Sequence, residues 1–184
     1  MRFVPHVVTF TSQSQEFIVN NCVGNGNYCA FDPESEDGSV TGQDVILESL
    51  RQICIYKQGI SQYFSYMKNF YSQCINSISK QCSEDLMYQY GINSRTTNDC
   101  VNNSFNNMSG NLYENDNTIL YEEKRAVEES GLQNFPHIMI NNQVYEGTMS
   151  QDDLLLSLCS SLHDETLQCR SLELYDDDDD LSLA

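Results

Sequence analysis

Positive charge is scarce in this chain. Lys and Arg number nine among 184 residues against 27 Asp and Glu, so the formal net charge is −18. Nucleic acid needs Lys and Arg against its phosphates and is excluded as a partner. An anionic membrane surface is disfavoured on the same ground, while basic ligands are favoured only generically. The last twelve residues hold six acids and no base, and without them the body still carries −12. No stretch is long and apolar enough to cross a membrane, so no direct membrane insertion is expected of this segment. No secretory leader is visible either. Residues 3–10 are apolar, but Pro5 and His6 interrupt them and no small-residue cleavage site follows. The expectation is a piece of a longer precursor, or a gene model that starts late. Cys-x-x-Cys is also missing, and the closest cysteines are Cys22/Cys29 and Cys74/Cys82. That removes the close pairs of a structural zinc site and the thiol pair of a redox motif.

Cysteine itself is plentiful. Eight is an even number and high for this length, which favours a disulfide framework in an oxidising compartment over eight buried free thiols in the cytosol. Two sequons, at Asn102 and Asn107, point the same way, since both fall in an Asn-rich stretch that reads as exposed loop. The expected location is the secretory or endomembrane lumen, or the cell exterior. With 40% hydrophobic residues, 11 Tyr and 8 Phe, the chain can build a core of ordinary domain size. Residues 1–170 read as one domain and 171–184 as an acidic, disordered tail.

Along the chain, Phe3–Thr11 reads as a strand with Pro5 near its start. A short helical turn is expected around Glu16–Val19, then loop over 22–40. Within that loop, Gly24, Asn25, Gly26 and Asn27 let the chain fold back sharply between Cys22 and Cys29. Thr41-Gly-Gln-Asp44 is a capping box, and Ile46, Leu50, Ile53 and Cys54 behind it share one helical face. A second helix starts at Ser61 with Tyr63, Phe64, Met67, Tyr71 and Cys74 on one stripe. A third runs from Ser83 to Tyr90 and stops at Gly91. Residues 93–117 carry nine Asn and read as loop. Asn117 caps a further helix with Leu120, Ala126 and Val127, ended by Gly131. Asn141-Asn142 joins two short strands in a hairpin, because Asn accepts the positive φ of a type I′ turn. Ser150-Gln-Asp-Asp153 opens a last helix with Leu154, Leu155, Leu158 and Leu162 on one face. Strand, helical block, hairpin, helix is the order of an α/β thioredoxin-like domain with a disulfide-bonded helical insertion, seen from its second strand onward.

Four segments, in order, resemble the luminal thioredoxin-like domain of plant-type vacuolar sorting receptors. They are Phe3-Val-Pro-His6 leading to Cys22-Val-Gly-Asn-Gly-Asn-Tyr-Cys29-Ala-Phe-Asp-Pro33; Gly42-Gln-Asp-Val45 with Leu50-Arg-Gln-Ile-Cys54; Cys74, Cys82 and Cys100 with Gly91-Ile92 between; and Phe135-Pro136 through Asn141-Asn142-Gln-Val-Tyr145 and Gly147 to Cys159 and Cys169. The resemblance covers roughly residues 3–170 and all eight cysteines. It implies a non-catalytic module, without cofactor, of a receptor that carries soluble protein or peptide cargo to a vacuole or lysosome-like organelle. Other domains of a longer receptor are implied as partners. The resemblance carries the expectation that the family's first strand and helix, upstream of the position matching Phe3, are absent from this chain. A thiol–disulfide oxidoreductase relative and a secreted structural protein using the same domain are the alternatives.

Eight cysteines allow 105 pairings. Local spacing suggests Cys22–Cys29, Cys74–Cys82 and Cys159–Cys169, leaving Cys54–Cys100. The resemblance implies a cis bond before Pro136, against an ordinary trans proline opening an edge strand. Asp32-Pro-Glu34-Ser-Glu36-Asp37-Gly38 imitates a calcium loop, but its glycine falls one place late and the twelfth position is Gln43 instead of Glu. A solvated acidic loop is the better reading, as a flexible tail is for Asp176–Asp180. His6 and His137 each follow a proline and could form a metal or pH-sensing pair, although no third ligand is evident. The residues that hold cargo are not legible.

Overall fold

Gly24, Asn25 and Gly26 all take left-handed φ values, 62°, 53° and 89°, and the chain reverses direction over them. Gly26 admits no side chain, because a Cβ there would run into the Ser12 carbonyl and Ile18. The reversal closes a short hairpin of β1 (Cys22–Val23) and β2 (Tyr28–Cys29), antiparallel and with Cys22 opposite Cys29. This computed structural model describes residues 2–33, 40–107, 114–133, 135–162 and Cys169. The chain divides into two compact units, Arg2–Gly131 and Leu132–Ala184.

In the first unit, α1 (Gln15–Asn21) precedes the hairpin and α2 (Gly42–Tyr56) follows it. The Thr41 capping box forms in full: Thr41 Oγ1 accepts the Asp44 N–H, and Asp44 Oδ2 accepts the Thr41 N–H at 2.9 Å. Helix α2 feeds two hydrophobic cores. Ile46, Leu50, Ile53 and Cys54 pack with Val23, Tyr28, Val101, Phe105, Ile119 and Leu120. On its other side Ile55 joins Tyr63, Tyr66 and Phe70 of α3 (Ile60–Gln73), and Leu86 and Met87 of α4 (Lys80–Gln89).

The structure corrects four expectations here. Among the described residues Phe3–Thr11 forms no strand beyond a single bridge, Phe10 to Cys29, because it meets only the end of the two-residue β2. Side chains hold it instead: the Tyr56 hydroxyl donates to the Phe3 carbonyl, and Glu123 Oε2 accepts the Val7 N–H at 3.0 Å. On α3 the buried face is Tyr63, Tyr66 and Phe70, whereas Phe64 and Tyr71 face solvent, so the expected stripe was out of phase. Helix α4 begins at Lys80, since Ser79 rather than a later residue supplies the cap, accepting the Cys82 N–H. The Asn-rich stretch contains a helix, α5 (Ser94–Ser104), capped by Asn93 Oδ1 on the Thr96 N–H. Its Thr97 and Val101, four residues apart, are buried. Helix α6 (Thr118–Ser130) is as read, with Asn117 accepting the Leu120 N–H and Gly131 at φ 68°.

A buried polar cluster joins three of these helices. Glu48, only 2% exposed, accepts hydrogen bonds from Arg51 Nη1 (3.0 Å), the Tyr66 hydroxyl (2.8 Å), the Ser83 hydroxyl (2.5 Å) and Gln52 Nε2 (3.2 Å). A buried carboxylate is tolerated only when its charge is paired and its lone pairs are used. Glu48 meets both conditions with partners on α2, α3 and α4.

The second unit contains the hairpin of β3 (Met139–Ile140) and β4 (Gln143–Val144), then α7 (Gln151–Ser160). Asn141 and Asn142 take φ 50° and 63°, as a type I′ turn requires. Ser150 caps α7 by accepting the Asp153 N–H. Leu154, Leu155, Leu158 and Leu162 are half-buried.

Replacing Glu48 with Ala strands Arg51 without its carboxylate. Urea unfolding is expected to show a loss of about 3–5 kcal/mol, against less than about 1 kcal/mol for Lys80→Ala at the exposed Lys80–Glu84 pair.

Candidate functional site

All eight cysteines are bonded: Cys22–Cys29, Cys54–Cys100, Cys74–Cys82 and Cys159–Cys169. The first bridge ties the two strands of the β1–β2 hairpin directly across their register, and both its residues are fully buried. The second links α2 to α5, with Cys54 also buried. A thiol–disulfide exchange site needs an attacking thiolate with access to a partner. No free cysteine is present to supply one.

The other sites expected from the sequence are scattered. His6 Nδ1 lies 3.0 Å from Glu123 Oε2 in the first unit. His137 belongs to the second unit, where its ring packs edge-on against Phe135, 5.8 Å between centroids. Among the described residues no three His, Cys, Asp or Glu side chains gather as a metal site. The Phe135–Pro136 bond is cis. Glu34–Gly38 of the calcium-like loop and Asp176–Asp180 of the tail lie outside the described residues. Gln43, the loop's twelfth position, spends its amide group on the carbonyls of Val19 and Cys22, which ties α2 to the start of the hairpin. Asn102 is not in a loop. It sits half-buried in the last turn of α5, and the Ser104 of its sequon is buried, donating to Val101 O and accepting from Asn117 Nδ2. Asn107 is exposed beyond the helix end, while Met108 and Ser109 of its sequon lie outside the described residues.

Two concavities stand out among the described residues. In the second unit a shallow one of about 550 Å³ runs between β4 and α7, past Val144, Tyr145, Leu156 and Ser160. In the first, a cleft of about 350 Å³ separates the β1–β2 hairpin from the exposed face of α6. Asn27, Tyr28 and Asp116 line one side, and Tyr121, Lys124, Arg125 and Glu128 the other. Its base is rigid. The Tyr28 hydroxyl donates to Asp116 Oδ1 at 2.6 Å, and the same oxygen accepts the Asn117 N–H at 3.0 Å. Asn25 Nδ2 donates to the Glu114 carbonyl at 2.9 Å, holding the hairpin tip to the segment before α6. Burial, and then the Asp116 carboxylate, push the Tyr28 phenol well above its ordinary range, so it stays a neutral donor. Arg125 Nε pairs with Glu129 at 3.0 Å. Sequence reasoning missed this cleft. The adjacent Lys124-Arg125 was a signal in so acidic a chain, but Tyr28 and Asp116 are 88 residues apart and meet only in the fold.

Residues 1–159 match the family model of the vacuolar sorting receptor thioredoxin-like domain. The chain belongs to the vacuolar sorting receptor thioredoxin-like domain family. It is similar to vacuolar-sorting receptors 4 and 3 of Arabidopsis thaliana, 29% and 28% identical over 177 residues and 89% of this chain. Vacuolar-sorting receptor 1 of Pisum sativum is 25% identical over the same share. The chain spans about a quarter of the length of these relatives (26%, 26% and 27%). This member of the sorting-receptor thioredoxin-like family is rich in helix, with strands of two residues each among the described residues. Among those residues no helix is long and apolar enough to cross a membrane.

Tyr28, Tyr63 and Tyr66 are all raised above the usual phenol value near 10, in each case first by burial. A raised folded-state pKa stabilises the fold fully below the unfolded value, and that contribution is lost as pH climbs through the folded one. A spectrophotometric titration of the native chain, followed together with circular dichroism, tests this for Tyr28, Tyr63 and Tyr66. The three buried ones should ionise only together with loss of the fold. Full, reversible ionisation of all 11 tyrosines in one step, with the circular dichroism unchanged, contradicts this site geometry.

Proposed function

We propose that the chain is a non-catalytic, luminal module of a sorting receptor, which holds soluble protein or peptide cargo bound for a vacuole or lysosome-like organelle. Family membership supports the receptor context, and the relatives' names supply the vacuolar destination. The observation that carries the non-catalytic part is the state of the cysteines. Every one is in a bridge, none is in Cys-x-x-Cys, and the hairpin bridge has no exposed sulfur-bearing residue. A thiol–disulfide oxidoreductase needs the opposite arrangement, with an accessible low-pKa thiol. The vacuolar relatives favour the endomembrane lumen and lend no support to an extracellular structural protein. Other domains of a longer receptor are the partners this reading calls for.

Asn107 is the glycan acceptor on this reading, and Asn102 is left bare. A glycan on Asn102 would have to leave a half-buried position in the last turn of α5, beside Ser104, whose hydroxyl is buried and used twice within the fold. Deglycosylation by peptide N-glycosidase in heavy-oxygen water, followed by mass mapping, is expected to mark Asn107 alone. Equal occupancy of Asn102 contradicts it.

The functional test is capture by the immobilised chain of a soluble vacuolar protein with and without its sorting segment, beside an insulin-reduction assay. Capture that depends on the segment, with no insulin reduction above background, is expected. Reduction without capture assigns the chain to the oxidoreductases instead.

A further inference from the structure

We infer that the cleft between the β1–β2 hairpin and α6 is a docking site for a peptide carboxylate, anchored on Lys124. This deepens the cargo reading and rests on it. Lys124 is half-buried in the cleft wall, and among the described residues it has no carboxylate partner, whereas Arg125 is paired with Glu129, Arg51 with Glu48 and Lys80 with Glu84. Arg2, Lys57, Lys68 and Arg95 also lack a carboxylate pair but are exposed, so among the described residues Lys124 is the one half-buried base without such a pair. A carboxylate placed on Lys124 gains a charge-assisted hydrogen bond at contact distance. Asp116 and Glu128 in the same cleft oppose it, whereas acids farther away than about 8–10 Å are screened at physiological salt.

The rest of the lining favours a peptide over a simple anion. Asp116 and Glu128 share the cleft, so a dianionic phosphate meets repulsion there that a monoanion meets less. The same two carboxylates, with Asn27, accept the N–H groups that a peptide presents beside its carboxylate. Tyr121, 55% exposed on the same wall, offers an aromatic face to a neighbouring apolar side chain. The base does not need to reorganise, because Tyr28, Asp116 and Asn117 are already bonded to one another. The carboxylate has two sources, a chain terminus or an Asp/Glu side chain, and the chemistry at Lys124 is common to both.

The test is calorimetric titration of the full 184-residue chain with three probes. They are N-acetyl-Ala-Leu-Gln-Leu with a free carboxyl terminus, N-acetyl-Ala-Leu-Glu-Leu-amide, and the neutral N-acetyl-Ala-Leu-Gln-Leu-amide. At least one acid-bearing peptide is expected to bind about tenfold or more tightly than the neutral one. Whichever acid does so identifies the source. That advantage should vanish in Lys124→Gln, weaken in Tyr121→Ala, and persist in Glu122→Gln on the exposed face of α6 outside the cleft. Circular dichroism confirms that each variant is folded. Equal binding of all three peptides, or an undiminished advantage in Lys124→Gln, overturns the inference. So does inorganic phosphate competing better than acetate, which would make the site a phosphoryl site. If the chain captures a vacuolar protein but shows no preference for acids, this inference fails while the cargo reading stands. If the Lys124-dependent preference holds and capture fails, the cleft stands and the cargo reading fails.

Discussion

The bridge from Cys54 to Cys100 is the constraint on which the first unit turns. It closes 46 residues of chain, against 7, 8 and 10 for the other three bridges. By the loop-entropy argument such a closure stabilises by about 4 kcal/mol and the short ones by about 2.5–3 kcal/mol each. More important is where it acts. Cys54 points from α2 into a core shared with the hairpin and α6, and Cys100 fastens α5 against that same helix. Among the described residues the unit's only sheet has two residues in each strand, so little backbone pairing connects distant parts of its chain. Covalent links and the packing around α2 take over that task.

Helix α2 can serve as a hub because its residues face two ways. One side buries Ile46, Leu50 and Ile53, and the other reaches Tyr66 and Ser83 through Glu48. The proposed docking surface follows from this frame. The Cys22–Cys29 bridge, together with the Asn25 and Tyr28 hydrogen bonds, sets the hairpin at a fixed distance from α6. The space between them is a cleft with a rigid base. Sulfur here positions a loop, and the chemistry of the site belongs to Lys124, Asp116 and the tyrosines.

What the sequence disclosed was local. The Thr41 capping box, the Asn117 cap with Gly131 at the far end of α6, and the Asn141-Asn142 turn each depend on residues within a few positions, and each formed as read. Helix α5 was hidden because Asn and Thr are poor helix formers. Its burial against α2 and the Cys100 bridge override that preference. Phe3–Thr11 has the β-branched composition of a strand, yet a strand exists only beside another. On α3, aromatic residues surround the helix, so composition could not set the phase, and Phe64 and Tyr71 fell on the wet side. The cleft was invisible for the plainest reason. Its two walls come from parts of the sequence about ninety residues apart, and only the fold brings them together.

That the cysteines form a structural frame and not a redox site is tested most directly by peptide mapping of the native, unreduced chain with thiols trapped at the moment of lysis. The account predicts four bridges, Cys22–Cys29, Cys54–Cys100, Cys74–Cys82 and Cys159–Cys169, with no trapped thiol. A trapped thiol at Cys54 or Cys100, or a shuffled partner for either, would contradict it.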